Sequence, residues 1–203
     1  ESETFRLVHG EGDFLPGLVV DKYNEYLTLQ TFSYGMDTRL PIICDVLDSL
    51  LHPKGIIERN ESSLRTLEHL DQKKGILKGT SEPTTISEHG LSYSVNLLEG
   101  QKTGFFLDQR ENRLAIRRFA KGTRVLDCFC NDGGFALNAA YAGAASVTGV
   151  DVSDDAIQRA KLNASLNGLA SVQFEQSDVF EQLAKYAAEG TKGDKSAGFA
   201  NSD

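Results

Sequence analysis

Apolar residues recur along this chain at two spacings, and the spacing changes mark the elements. In Gly17–Phe32, Val19 and Val20 lead into a polar turn, "DKYNE". Leu27, Leu29 and Thr31 then alternate with Thr28 and Gln30, a period of two that predicts two short strands. From Asp37 to Leu51 the apolar positions Leu40, Ile43, Cys44, Leu47, Leu50 and Leu51 fall at helical spacing. Gly55–Arg59 reads as a short buried strand, Ser62–His69 as a brief helix, and "KKGILKGT" as a stretch punctuated by glycines. "TTISEHGLSYSVNLLEG" places His89-Gly90 between two alternating segments, which predicts a hairpin.

Past Gly100 and Gly104, Asp108 is placed to cap a helix running to about Phe119. Leu114, Ala115 and Phe119 would face inward, with Arg110, Arg113 and Arg117 on another face. A regular alternation follows: strand 124–129, helix 134–142, strand 146–152, helix 154–166, strand 171–176 and a helix around 179–188. Repeated strand–helix units of this length imply a parallel sheet with right-handed crossovers. The expected fold class is therefore α/β. A small α+β central domain (1–83) and a linking β-hairpin (84–98) precede the front half of a Rossmann-like, doubly wound parallel sheet (99–189), incomplete at its C-terminus. Residues 190–203, with Phe199 as their one large apolar residue, are expected to be a disordered tail.

Composition narrows the class. The chain has 203 residues, 40% hydrophobic and 25% charged, as soluble domains are, and no apolar run long enough to span a bilayer. It opens on Glu1 without a signal-like leader, as a segment cut from a longer chain would. Three cysteines without framework spacing point to a reducing compartment, hence the cytoplasm. The net charge of -8 is uneven: residues 1–100 carry 9 Lys/Arg against 16 Asp/Glu, whereas Gln101–Arg124 carry 7 against 2. That basic island, from Lys102 to Arg124, is either a phosphate-attracting surface or a solvated helix face.

The distinctive chemistry lies in "VLDCFCNDGGFAL", Val125–Leu137, a strand running through a glycine turn into a helix. In doubly wound sheets ligands sit at the carboxyl ends of such strands. A dinucleotide site would carry G-x-G-x-x-G, but here only Gly133-Gly134 are present, beside Asp127 and Asp132. Two carboxylates against a pyrophosphate would cost about 1 to 4 kcal/mol per close pair, which disfavours an NAD-dependent oxidoreductase. S-adenosylmethionine suits the charges better. It has no phosphate, its ammonium can pair with the acids, and the glycines let backbone approach the nucleoside. Asp151, closing the second strand, can accept both ribose hydroxyls. Asp178, closing the third, either accepts the adenine amino hydrogens or caps the next helix.

Cys128 and Cys130, two apart on an extended strand, would point the same way and read as small buried residues. No metal site is expected, because His9, His52, His69 and His89 are scattered elsewhere. Nor is a base or cation evident that would activate a thiolate.

"EGQKTGFFLDQRENR" (Glu99–Arg113), taken with "VLDCFCNDGGFALNAA", resembles the class I methyltransferases that modify cytosine C5 in large-subunit ribosomal RNA. "HGEGDFLPGLVVDKY" and "IIERNESSLRTLEHL" resemble that family's small central domain, so the likeness runs from about Thr4 to about Leu183. The resemblance implies S-adenosylmethionine as cofactor, with contacts from Gln109, Arg110, Phe129, Gly133, Phe135, Asp151 and Asp178. Asp127, Asn131, Asp132, Gly134, Val152 and Val179 complete the expected site. Asp132 stands where a small or polar residue would be expected. The resemblance also implies RNA, ribosomal RNA first, as partner, with no membrane and no metal, and leaves a homodimer open.

Two family features are absent. Nothing matches an N-terminal PUA domain, and no Asp-Pro-Pro occurs, the four prolines being Pro16, Pro41, Pro53 and Pro83. Cytosine C5 becomes nucleophilic only after a thiolate adds at C6, and a base must then remove the C5 proton. Neither catalytic role is assigned to a residue. The competing reading is a non-catalytic module that binds cofactor or docks RNA.

Overall fold

The computed structural model describes residues 3–100 and 104–193, with side chains as far as residue 188. The chain divides into two compact units between Glu111 and Asn112, which places the hairpin and the "GFFLDQR" stretch in the first.

The first unit is built on a five-stranded sheet of order β1 (Thr4–His9), β2 (Leu18–Tyr23), β3 (Tyr26–Thr31), β4 (Gly55–Asn60) and β5 (Lys73–Gly79). Neighbours are antiparallel except β3 and β4, which run parallel. The β2–β3 turn is tighter than the polar run suggested, because β2 continues to Tyr23 and only Asn24 and Glu25 lie between the strands. Asn24 takes the positive φ (53°) that such turns need. A parallel step requires a crossover, supplied by α1 (Tyr34–Asp37) and α2 (Leu40–Leu51). Pro41 sits in the first turn of α2, where a missing N–H breaks no helical bond. Cys44 and Leu47 of α2 share one core with Leu18, Val20, Leu27, Leu29 and Ile56. Leu50 is exposed, so the buried stripe is shorter than the periodicity predicts.

The edge strands β1 and β5 escaped the sequence reading, and their burial explains why. Each buries too few apolar residues to leave a period of two. The hairpin β6 (Thr84–Glu88) and β7 (Leu91–Val95) turns at His89-Gly90 as expected, burying Ile86, Leu91, Tyr93 and Val95. Tyr93 packs its ring 5.0 Å from that of Phe105. The buried Tyr23 hydroxyl donates to the Phe105 carbonyl (3.2 Å) and accepts from the Phe105 amide (3.1 Å), tying the stretch after Gly104 to the sheet.

The helix expected from Asp108 to Phe119 is instead a 3₁₀ turn, Leu107–Gln109, followed by α3 (Arg110–Ala115) and α4 (Arg117–Ala120). Phe106, not Asp108, occupies the capping position of the 3₁₀ turn. Its faces are also corrected. Arg113 is buried and Phe119 is exposed, because the Arg113 stem packs where a side chain at Gly134 would otherwise stand. The basic island is therefore not one face. Arg117 donates to the Asn138 side chain at 2.7 Å and stacks on Tyr141, whereas Arg118, Lys121 and Arg124 are exposed; Lys102 lies outside the described residues.

The second unit holds the expected alternation: β8 (Arg124–Cys128), α5 (Gly134–Tyr141), β9 (Ser146–Asp151), α6 (Asp154–Leu166), β10 (Gln173–Gln176) and α7 (Val179–Gly193). All three strands are parallel, in the order β10-β9-β8. β8 is thus an edge, and Val125, Leu126, Asp127 and Cys128 are all half-buried. The helix α7 reaches Gly193, four residues into the stretch expected to be disordered. Residues 194–203 lie outside the described residues.

Candidate cofactor site

Strand β8 stops at Cys128 because the backbone turns over at the next residue. Phe129 (φ 59°), Asn131 (φ 46°) and Gly133 (φ 79°) all adopt left-handed conformations, two of them without glycine's freedom. Such φ values are uncommon for residues with a Cβ, and their clustering marks a turn held by its surroundings. The reversal also corrects the cysteine reading. Cys130 is no longer on the strand, so it does not share a face with Cys128 by alternation; it is buried over Gly149, whose added Cβ would lie 3.1 Å from its own.

Several bonds hold the turn. The Cys130 amide donates to the Val150 carbonyl (3.0 Å) and the Gly133 amide to the Cys130 carbonyl (2.8 Å). The Asn131 amide donates to Asp151 Oδ2 (2.9 Å), while Asp151 Oδ1 accepts from the Ser153 amide (3.0 Å). Asp151 is thereby fixed between the end of its own strand and the neighbouring turn, half-buried. Each carboxylate oxygen has a second lone pair, so both can still accept from a ligand hydroxyl. Gly133 and Gly149 are glycine for a second reason: a Cβ on either would meet the ring of Phe174 from β10, at 2.9 and 2.7 Å. Neither Phe174 nor Gly149 was singled out from the sequence, though a glycine inside a strand is the usual sign of a close approach.

Asp127 does two jobs. Gly133 caps α5 without a side chain, and Asp127 Oδ2 accepts the bond it cannot offer, from the Ala136 amide at 2.9 Å. Burial pushes its carboxyl up to about 6; the Ala136 bond opposes the rise and the Asp151 charge adds to it. The group therefore titrates near neutrality beside the turn.

Asp132 is placed differently from expectation. It is buried and points to α6, where Arg159 Nε donates to its Oδ1 at 2.6 Å and Asn163 donates to its carbonyl at 3.0 Å. Burial raises its pKa and the Arg159 bond opposes this. With Arg159 beside it, Asp132 contributes little negative field to the turn, so the charge argument against a pyrophosphate rests on Asp127 and Asp151. The signal that could have found Arg159 and Asn163 is their place on the inner side of α6, four apart, among buried Ala156, Ile157, Ala160 and Ala164.

The remaining expected residues sort by exposure. Phe129 and Val152 are exposed, and Phe129 meets Phe180 edge-on at 6.0 Å between ring centres. Phe129 and Phe180 thus form an exposed apolar pair, and Val152 follows the end of β9. Asp178 is exposed and caps α7 through Oδ1, which accepts from the Phe180 (2.8 Å) and Glu181 (3.1 Å) amides. Val179 is buried; its exposed neighbour is Phe180. Gly134 is buried and Phe135 half-buried at the start of α5. Gln109 and Arg110 belong to the first unit. Arg110 donates to the Thr4 carbonyl (2.6 Å) and pairs with Glu88 (3.4 Å), and Gln109 donates to Asp108 (3.3 Å).

Cys130 is unsuited to nucleophilic work, since burial pushes its thiol well above the ordinary value and Asp127 and Asp151 push it further. Among the described residues no group of three His, Cys, Asp or Glu could hold a metal ion, and no helix is long and apolar enough to cross a membrane.

In sequence and in fold the chain is similar to known methyltransferases. Residues 119–195 match the family described as methyltransferase domain. The chain is 40% identical over 195 residues to the ribosomal RNA large subunit methyltransferase I of Tolumonas auensis, covering 94% of this chain and 49% of that protein. The Photobacterium profundum protein of the same name is 38% identical, over 92% of this chain and 48% of its own length. The chain thus spans about half the length of the curated relatives it matches. Among solved structures, a candidate SAM-dependent methyltransferase from Streptococcus mutans superposes with a TM-score of 0.79 at 28% identity, over 94% of this chain and 50% of that one. A SAM-dependent methyltransferase from Agrobacterium tumefaciens shares the fold, with a TM-score of 0.66 at 19% identity, over 93% of this chain and 56% of its own.

Proposed function

Because this chain carries a Rossmann-like class I methyltransferase fold and is about 40% identical along most of its length to a large-subunit ribosomal RNA methyltransferase, we propose that it binds S-adenosylmethionine within an enzyme that methylates RNA. The target we infer is C5 of a cytosine in 23S ribosomal RNA. The observation that carries the cofactor assignment is Asp151, held by the Asn131 and Ser153 amides at the end of β9 with lone pairs to spare. One solved neighbour, with a TM-score of 0.79 at 28% identity, is a candidate methyltransferase complexed with SAH, the demethylated cofactor.

The residues fit the group. Asp151 accepts the ribose hydroxyls; the exposed Phe129, Val152 and Phe180 offer an apolar surface to adenine; Asp178 accepts from its amino group. The turn 129–134 brings backbone to the nucleoside, and Asp127, when ionised, pairs with the ammonium. Bound S-adenosylmethionine supplies an electrophilic methyl on a sulfonium. This chain's part is to orient the cofactor and to hold a proton at Asp127 below about pH 6 and release it above. We assign neither the thiolate nor the base of cytosine methylation to a described residue. Burial pushes up the thiols of Cys44 and Cys130, two of the three cysteines, and the chain spans about half the length of the curated relatives it matches; together these favour a second reading, a cofactor-binding piece that needs further protein for transfer.

The test is incubation of the protein carrying this chain with 23S ribosomal RNA and methyl-tritiated S-adenosylmethionine, followed by digestion to nucleosides. Label in 5-methylcytidine supports the proposal. Label in another nucleoside overturns the target, and label in protein but never in RNA overturns the substrate class.

A further inference from the structure

Asp132, buried in the turn, is matched by an arginine 27 positions later on another element, and the pair forms part of a longer chain of bonds. Arg159 Nε donates to Asp132 Oδ1 at 2.6 Å, and Arg159 Nη2 reaches Asn131 Oδ1 at 3.4 Å. Asn163, one helical turn on and fully buried, donates to the Asp132 carbonyl at 3.0 Å. On its other side Asn131 gives its amide to Asp151 Oδ2 at 2.9 Å. A continuous path therefore runs from α6 through the side chains and backbone of two turn residues to the carboxylate assigned to the ribose.

The backbone needs such a clamp. Asn131 and Phe129 sit at positive φ without being glycine, conformations that persist only where the surroundings over-determine them. Gly133 is pinned from below by Phe174, so the 3.0 Å bond from Asn163 and the ion pair from Arg159 hold the segment between two fixed points. The pair also resists being broken, since removing one partner leaves the other's charge uncompensated in a largely buried place.

We propose that Arg159 is a positioning residue for cofactor binding: through Asp132 and Asn131 it fixes the turn that in turn fixes Asp151. This rests on the cofactor reading above. Because Arg159 acts through geometry and not as a charge on the ligand, its removal weakens S-adenosylmethionine and S-adenosylhomocysteine alike, although only the first carries a sulfonium.

The test is a double-mutant cycle on the 203-residue chain, with Arg159→Met, Asp132→Asn and the double variant, titrated calorimetrically with both cofactors. Each single substitution should weaken both by on the order of tenfold, within the range of coupled neighbours. The double variant should stay weakened by about as much as a single one, since all three lack the same link; full recovery in it would assign the loss to an unpaired charge and overturn positioning. Thermal melts without ligand identify the folded variants, and Arg159→Lys, which keeps the charge, should restore binding in part. Folded single variants that bind both cofactors as tightly as the parent would sink the proposal and leave the cofactor reading intact. Selective gain for S-adenosylmethionine in Arg159→Met would make the pair a field effect and overturn positioning. If the unsubstituted chain binds neither cofactor, the cofactor reading itself fails and the inference with it.

Discussion

Replacing Asp127 by Asn should stabilise the second unit at neutral pH while weakening its ligand. The carboxyl rises from an ordinary 3.8 to about 6 on folding, mainly through burial. A carboxyl whose pKa is raised binds its proton more tightly in the folded state. Its protonated form therefore favours folding below pH 4, and that advantage is lost as pH rises through 6. A rise of that size corresponds to about 3 kcal/mol of preference for the protonated form. Because the residue is half-buried, solvent screening lowers this to roughly 1–3 kcal/mol. Asn keeps an oxygen for the Ala136 amide, so the helix cap survives. Urea unfolding of parent and Asp127→Asn at pH 4, 6 and 7.5 should show the smallest difference at the lowest pH. The variant should lead by about 1–3 kcal/mol at the highest. The gain should come with weaker S-adenosylhomocysteine binding, and the parent's affinity should improve as pH rises through 6. A variant equally stable at every pH, or less stable at 7.5, would refute the reasoning.

Gly133→Ala should destabilise by about 2–5 kcal/mol, combining a left-handed penalty with overpacking against Phe174. Adding Phe174→Leu should relieve the contact but not the backbone cost, which thermal melts of the three variants will separate. Tyr23→Phe removes both bonds between the hydroxyl and Phe105 and should cost about 1–3 kcal/mol in urea unfolding. Cys130 should resist alkylation at pH 8 in the folded chain and react once denatured, read by mass spectrometry; rapid modification in the folded state would contradict its burial.

The second unit was largely legible because its strands and helices each bury a face of matching period; α6 lies where the sequence placed it. The edge strands β1 and β5 were not, since an edge strand hides little and so patterns little. The arginines of Gln101–Arg124 misled for a different reason. A local pattern counts charge as exposed, whereas Arg113 buries its stem against Gly134 and Arg117 stacks on Tyr141. The positions of Asp127, Asp151 and Asp178 at or just after strand ends could be read from the sequence, and Asp178 caps the following helix as one of its two readings had it. That Asp132 faces α6 could not, because its partner lies 27 residues on, and the strand could not be seen to end at Cys128 while Phe129 looked like one more strand residue.

Calorimetric titration of S-adenosylhomocysteine into the 203-residue chain, beside Asp151→Ala, tests the central claim most directly. One molecule should bind per chain. The substitution should weaken binding by about tenfold or more, since hydrogen bonds to a charged group contribute roughly 1.5–3 kcal/mol. Equal binding by both proteins, or binding of NAD in place of S-adenosylhomocysteine, would contradict the account.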